Sequence, residues 1–536
     1  MSSHSFNLID EPWIRVRMMS GEVVERSLRA TLAEAADIKN LAGELPTQDA
    51  AVFRLLLAVL LGATRPRHPR TDDECLDLFE DWWGRGSIPT DFVDPYLELS
   101  RARFDLLHPE TPFYQVAGLT TSSGNRSGLG KLIADLPANQ HFFTTRGGAA
   151  SESLSLAEAA RWIVHCQAFD AAGIKTGAVG DERVRGGRGY SLFYPAWAGN
   201  LGLVIAVGRN LFETLTLNIP RQFSGPDDLP LWEREHLGPG VDETHPVPSG
   251  PADLFTWPSR RIRLIIEGAR VCDVQISNGD RLDPHDLHPF EPMSGWKTIK
   301  AQPKTGGDTR MPKTHDPTRQ IWQGLGPLLQ RSDGERESRP AAVIEWLALL
   351  RQNKMVSGAE TIDLWTVGLA YGTQNSVITA LTDDKLGANI AALTEPILVQ
   401  AAVDASAQAS RGVVALANLA GNLDRAAGGE GKARERTFEL GYALLDPLFR
   451  DWARQLTDGA DVPQLREGWN RIASAALRQA ADELVLTAGP AALVGRPVSQ
   501  QGSDTRTHLD AGLAQLKFHA ALRATFPTTT TDEVKP

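Results

Sequence analysis

The residues best suited to chemistry in this chain are glycines interleaved with cations. Residues 171–191 (AAGIKTGAVGDERVRGGRGYS) hold Gly173, Gly177, Gly180, Gly186, Gly187 and Gly189 beside Lys175, Arg183, Arg185 and Arg188. Glycine lets backbone N–H groups approach a ligand that side chains would fend off, and arginine forks pair with phosphates or base edges. The same composition also describes a connector that binds nothing. Residues 296–313 (WKTIKAQPKTGGDTRMPK) carry Lys297, Lys300, Lys304, Arg310 and Lys313 against the single acid Asp308, and Pro303, Gly306 and Gly307 loosen the chain there. Such a loop fits phosphate contact, or else a solvated loop balancing nearby acids. Residues 368–379 (GLAYGTQNSVIT) present Gln374 and Asn375 after Gly372, between apolar flanks. Amides on a tight turn can bond base edges or take a base's place in a stack, and a plain turn uses the same residues. Phe142 and Phe143, followed by Thr144, Thr145 and Arg146 in a polar stretch, offer a stacking platform or a loop anchor.

Catalytic patterns are missing from the sequence. It has no G-x-x-x-x-G-K-[ST] phosphate loop, no H-E-x-x-H, no G-x-S-x-G elbow and no dinucleotide-binding glycine fingerprint. His285 and His288 stand at a metal-like spacing, but Pro284 and Pro289 oppose the helix that would aim both rings at one ion, so a surface turn is expected. Neither a metal nor a cofactor is expected. A rival reading makes the chain a metal-dependent hydrolase using His285, His288, Asp280, Asp283 and Asp286; a second makes it a pure scaffold.

These segments must be held by a large fold. The chain has 536 residues, 42% hydrophobic and 23% charged, enough for two to four domains with their own cores. Lys and Arg number 55 against 66 Asp and Glu, a net charge of −11, so any nucleic acid must be bound by local patches. Three cysteines far apart, with no C-x-x-C pair, fit a reducing compartment. The longest apolar run, residues 55–63, is short for a bilayer, and a cytoplasmic protein with no membrane partner is expected. Up to about residue 380, short apolar runs such as 202–207 (GLVIAV) and 262–266 (IRLII) alternate with helical patterns and Gly/Pro-rich stretches. Beyond it, Ala and Leu recur at spacings of three and four. Phe438, Tyr442, Leu445, Phe449, Trp452 and Leu456 line one helix face, and Trp469/Ile472/Ala476/Ala480 and Leu509/Leu513/Leu516/Ala520 repeat the spacing. Pro396 marks a kink or break. The fold expected is α+β: a large mixed α/β, loop-rich domain over 1–380, then a four-helix bundle over 381–536.

Several blocks together resemble one family. Residues 6–16 (FNLIDEPWIRV) are similar to the amino-terminal signature of the CasA family, the large subunit of the type I-E CRISPR surveillance complex, Cascade. Residues 104–115 (FDLLHPETPFYQ), the glycine-rich 173–189, 254–258 (LFTWP), the 371–376 turn and the closing bundle follow in the family's order. The resemblance implies a non-enzymatic antiviral-defence protein in which guide RNA reads the target while the protein reads a short flanking motif, the PAM, from the minor groove of double-stranded DNA. It implies that the chain wedges the duplex open to start the R-loop and offers a platform to a helicase-nuclease. Its partners would be the other Cascade subunits, guide RNA and target DNA, with the bundle docking on the complex. By position, the loop from Gly173 through Lys175 to Gly177 would lie against the PAM, Gln374 with Asn375 would form the wedge, and Phe143 with Thr144 would meet the guide's 5′ handle and the PAM-side end. The family's lysine finger falls near residues 278–281 (NGDR), which lack a lysine; Asn278 or Arg281 is the substitute. Lys297, Lys300 and Lys304 would hold the DNA backbone. The cysteine cluster of some relatives is missing, so no zinc is expected.

Overall fold

Near the amino terminus, apolar and charged residues alternate, which is the pattern of a strand buried on one face. In β1 (Ile14–Met18) Ile14 and Val16 point inward while Arg15 and Arg17 face out. β1 pairs antiparallel with β2 (Val23–Arg26) and β3 (Ile38–Leu41), giving the order β2-β1-β3. The computed structural model describes residues 5–67, 69, 71–121, 124, 126–136, 146–147, 152–188, 194–219, 225–300, 309–332, 337–499 and 506–527.

The helix Pro46–Thr64 starts with Pro at its first turn, where the missing N–H costs nothing. By length and composition it could cross a membrane, yet 94% of its apolar window is buried inside the protein, so it is the central core helix. The helix Leu156–Phe169, capped by the Ser155 hydroxyl accepting from the Glu158 N–H, packs along it. Next come β4 (Leu203–Val207), the hairpin of β5 (Arg260–Glu267) and β6 (Arg270–Asn278), and β7 (Trp296–Ile299), β8 (Thr309–Pro312) and β9 (Ser338–Arg339) in the order β8-β7-β9. β10 (Thr361–Tyr371) lies between β4 and β11 (Ile378–Asn389).

The chain divides into two compact units. One comprises Met1–Arg319, Gln330–Met355 and Ile362–Lys385; the other comprises Gln320–Leu329, Val356–Thr361 and Leu386–Pro536. Within the second unit, four long helices pack as a bundle: Pro396–Ala427, Ala433–Ala453, Val462–Thr487 and Ala511–Thr525. Pro396 is a true break, ending the short helix Ile390–Thr394 and opening the first long one. Trp322, from the earlier segment of this unit, stacks on Phe449 with ring centroids 4.6 Å apart, and its indole N–H donates to Asp446 at 2.7 Å. Phe449 and Trp452 then meet Trp469 across the bundle. The mixed helix-and-sheet fold with a helical carboxy-terminal region is the class expected from sequence.

Two of the predicted stripes are out of phase. The buried line of Val462–Thr487 is Trp469, Ala473, Leu477 and Ala481, leaving Ile472 41% exposed. In the last helix Ala511, Ala514, Phe518 and Leu522 are buried, and Leu516 faces solvent. A hairpin of β12 (Arg496–Ser499) and β13 (Arg506–Leu509) precedes it.

Candidate nucleic-acid interface

Two segments some 200 residues apart in sequence meet at one hydrogen bond. The Ala172 N–H donates to the Asn375 carbonyl at 2.8 Å. A Cβ on Gly173 would lie 3.8 Å from that of Ser376. Both sides are tied to the end of the Leu156–Phe169 helix: Tyr371, the last residue of β10, donates its hydroxyl to the Phe169 carbonyl at 2.6 Å, and residues 170–173 continue directly from that helix. The turn between β10 and β11 closes through Gly372 N–H to Val377 O at 2.8 Å and Asn375 N–H to Gly372 O at 2.9 Å. Inside it Gln374 (φ 57°) and Asn375 (φ 54°) both occupy the left-handed region. Asparagine adopts this region readily, whereas Gln374 there costs on the order of 1 kcal/mol, and the Gln374 side chain is exposed.

Beneath the glycine loop lies a buried ion cluster. Lys175 Nζ is 2.6 Å from Asp170 Oδ2, and Arg260 bonds the same carboxylate while its Nη2 donates to the carbonyls of Asp170 (3.1 Å) and Ala171 (3.0 Å). Burial alone would raise the Asp170 pKa; the charges of Lys175 and Arg260 override it and hold the carboxyl below its usual range. For Lys175 burial wins over the attraction of Asp170, and its pKa is lowered. Lys175 thus turns inward and fixes the loop, leaving Ile174 60% exposed beside it. Farther along, Ser277 Oγ donates to the Thr176 carbonyl at 2.7 Å, and the Gly177 N–H donates to Gly187 O at 3.0 Å.

The segment 278–281 abuts the same loop. Arg183, ion-paired with Asp181, donates to the carbonyls of Asn278 and Gly279, both at 3.3 Å. Asn278 itself is buried at 2% exposure, whereas Arg281 is exposed with its guanidinium 5.2 Å from the centre of the Tyr194 ring. The glycine loop, the Gln374 turn and the 278–281 segment therefore form one contiguous surface. Sequence reasoning missed Asp170 and Arg260, which set the loop from below; Arg183, one of the cations in the glycine-rich segment, braces the backbone at Asn278 and Gly279. Nothing in the local pattern marks a carboxylate whose partner lies 90 positions away.

The remaining candidates lie elsewhere. Lys297, on β7, and Lys300, just past it, are exposed. Lys313 is pulled down to about 8 by its burial and by the charge of Lys297. Lys304, Phe143 and Thr144 fall outside the described residues. His285 pairs with Asp283 and His288 Nε2 sits 2.7 Å from Arg310 Nη1, and among the described residues no group of three His, Cys, Asp or Glu is placed to hold a metal.

The profile of the family described as CRISPR-associated protein Cse1 matches residues 7–480. This chain belongs to that family. The crystal structure of Thermobifida fusca Cse1 is similar over 98% of each chain, at 36% identity and a TM-score of 0.88. A CRISPR-associated protein CasA/Cse1 of Thermus thermophilus is 32% identical over 340 residues, a stretch spanning 62% of this chain and 62% of that relative. At 19% identity the Cse1 fold recurs, with a TM-score of 0.64 over 90% of this chain and 99% of the other, in a structure named a CRISPR RNA-guided surveillance complex.

Proposed function

We propose that this chain is the large subunit of a type I-E RNA-guided CRISPR surveillance complex and works there, in the cytoplasm, as a non-enzymatic DNA-recognition subunit. Its partners are the other subunits, guide RNA, target double-stranded DNA and the helicase-nuclease it recruits. The observation that carries this reading is the Ala172–Asn375 hydrogen bond, which joins a glycine loop to an exposed, conformationally strained glutamine. A backbone-lined loop beside one projecting amide suits a minor groove, whose acceptor pattern is too degenerate for stringent side-chain readout. In this role Gly173 allows the loop to approach the PAM and Gly177, packed on Val184, keeps the loop's shape, with Lys175 holding the loop rather than touching base edges. Gln374, steadied by Asn375, enters the duplex, and Arg281 is the exposed cation that stands in for a lysine, with Asn278 below it as support. Lys297, Lys300 and Lys304 contact the backbone, and Phe143 with Thr144 meets the guide's handle.

The test has two stages. Expressed with its neighbouring subunits, the chain is expected to elute in a multi-subunit particle containing a guide-sized RNA; elution as a lone chain without RNA overturns the reading. Within that particle, Gln374→Ala is expected to leave assembly intact and to slow opening of relaxed linear target DNA, because each base step it must unstack is worth about 1–2 kcal/mol. Negative supercoiling supplies part of that energy and should shrink the defect. Equal opening rates on linear DNA would remove Gln374 from the wedge position.

A further inference from the structure

The Arg261 guanidinium, on β5 and only 1% exposed, is committed to the loops around it. Nε donates to the carbonyls of Gly238 (2.9 Å) and Gly240 (3.1 Å), and Nη1 donates to the Pro258 carbonyl (3.0 Å). Nη2 donates to the Gly240 carbonyl (2.7 Å) and to Asp280 Oδ1 (2.6 Å), an oxygen that also accepts the Asp242 N–H at 2.9 Å. Residues 238–242 (GPGVD) are thus a strap drawn against Arg261 at one end and Asp280 at the other. Neighbouring cations have acids of their own: Arg183 pairs with Asp181, and Arg234 with Asp242 and Asp253. Asp280, itself buried, is the counter-ion of Arg261.

The strap also bears on the glycine-rich segment. A Cβ on Gly180 would fall 3.0 Å from Pro239 Cγ, and one on Gly240 would fall 3.6 Å from the Gly180 carbonyl oxygen. From that segment Arg183 reaches the carbonyls of Asn278 and Gly279, and the next residue, Asp280, returns to Arg261 and the strap. The three segments therefore close into a circuit, with Arg261 bonded to both the strap and Asp280. On the β5–β6 ladder Arg261 stands opposite Ser277, whose hydroxyl donates to the Thr176 carbonyl at 2.7 Å. Gly279 is pressed against the guanidinium, since a Cβ there would lie 2.7 Å from Arg261 Nη1 and 2.4 Å from the Pro258 carbonyl oxygen. Arg261 and Asp280 are too deeply buried to meet DNA, so what they supply is distance and orientation.

We infer that Arg261 is a positioning residue for PAM recognition, and that the strap it holds, residues 238–242, sets the spacing between the glycine loop and Arg281. The inference rests on the reading of the chain as a DNA-recognition subunit. Two groups that address one groove together must each be held to within about 0.5 Å of their working places. Arg281 follows Asp280 directly, so the clamp on Asp280 fixes the backbone from which the exposed guanidinium springs. A lysine at position 261 would still face Asp280 with a charge, but a single ammonium cannot span carboxylate and strap as the planar fork does.

The assembled particle is titrated with a PAM-containing and a PAM-lacking duplex at several salt concentrations. Arg261→Lys is expected to weaken binding of the PAM-containing duplex about three- to tenfold and to change binding of the PAM-lacking one by less than about twofold. The slope of log K against log salt should stay as it is, because no phosphate contact is lost. Pro239→Ala alters no charge and removes the pyrrolidine that bears on Gly180; it is expected to move the same ratio in the same direction, by about two- to fivefold. Arg54→Lys is the structural control. Arg54 is 2% exposed, paired with Glu291 and outside the circuit, so its variant is expected to unfold at a lower temperature and to keep the PAM ratio within about twofold. An unchanged ratio in Arg261→Lys overturns the role of Arg261, and an unchanged ratio in Pro239→Ala overturns that of the strap. Equal losses on both duplexes, a flattened salt slope, or an equal loss of ratio in Arg54→Lys overturns positioning altogether. Should Arg261→Lys fail to assemble, Pro239→Ala decides. A wild-type particle with no preference for the PAM-containing duplex would instead sink the DNA-recognition reading, leaving the two failures distinguishable.

Discussion

Gly173 and Gly177 look alike in the sequence and are glycine for different physical reasons. Gly177 is buried, and a Cβ there would fall 2.5 and 2.6 Å from the two γ-carbons of Val184. At Gly173 there is space, but φ is +128°, a backbone state that side chains rarely adopt. Gly177→Ala is therefore expected to destabilise the chain by about 1–3 kcal/mol through overpacking, and Val184→Ala in the same chain should recover most of that. Gly173→Ala should cost about 1–2 kcal/mol that no trimming of neighbours recovers. Thermal unfolding of the two single variants and the double variant checks both; a neutral Gly177→Ala would show that Val184 does not dictate this glycine. The consequence for function is direct. Weaker DNA binding by a Gly177 variant alone cannot place this residue in a groove, whereas Gln374 and Arg281, exposed and under no such packing demand, can be tested cleanly. Sequence composition identified the loop because glycine density is a local property. It could not reveal that Lys175 is committed to Asp170 and Arg260, since that depends on which distant residues the fold brings underneath.

The core helices carry ionisable groups whose titration reports on packing. On Pro46–Thr64, burial pushes the Asp49 carboxyl up to about 7 despite the Gly43 N–H it accepts, and Glu44 adds to the rise. On the neighbouring helix, burial drops His165 to about 4, where its ring meets the Thr47 hydroxyl at 3.0 Å. The two act in opposite senses. Asp49 keeps a proton in the folded state that the unfolded chain has lost above its ordinary value of 3.8, so its contribution falls as pH rises from about 4 to 7. His165 lacks in the folded state a proton that the unfolded chain takes up below 6.5, so its contribution is lost as pH falls from 6.5 towards 4. Between those limits the slopes cancel. Asp49→Asn, which keeps the acceptor for Gly43, should expose the His165 slope: stability rising by about 1.4 kcal/mol per pH unit between pH 4.5 and 6, and exceeding wild type at pH 8 by on the order of 2–4 kcal/mol. Denaturant unfolding across that range measures both; a variant whose profile parallels wild type would show that Asp49 is ionised in the fold. Element existence was legible from periodicity, and phase was legible only where large residues fix it. Leu445, Phe449 and Trp452 are buried as their spacing demands, because aromatic bulk leaves one way to pack, whereas Leu456, also buried, lies past the helix end at Ala453. In the Val462–Thr487 helix, alanines on several faces give stripes of nearly equal hydrophobicity, and contact with the Phe449 and Trp452 rings selects the one through Trp469 and Leu477.

At the scale of the whole molecule, a net charge of −11 has to be reconciled with the proposed contact to DNA. Long-range repulsion weakens binding of the free chain, and attachment to an assembly that already holds the target raises the effective concentration of its local patches. Affinity then comes from few cations, each of which should be visible in the salt dependence. Lys297 and Lys300 are exposed, so alanine at both should change folding stability by less than about 0.5 kcal/mol each. In the assembled particle the double variant is expected to bind every duplex more weakly and to flatten the slope of log K against log salt by about two units, roughly one for each phosphate that is no longer neutralised. The ratio of affinities for PAM-containing and PAM-lacking duplexes should stay as it is, because phosphate contacts position a duplex without reading it. Gln374→Ala should do the reverse, leaving the salt slope alone while impairing the step that follows binding. Titrations of both variants at four or five salt concentrations separate the two kinds of contact. If the lysine variant keeps both its affinity and its slope, these side chains lie away from the DNA path, and the exposed end of β7 should be tested as a surface for protein partners.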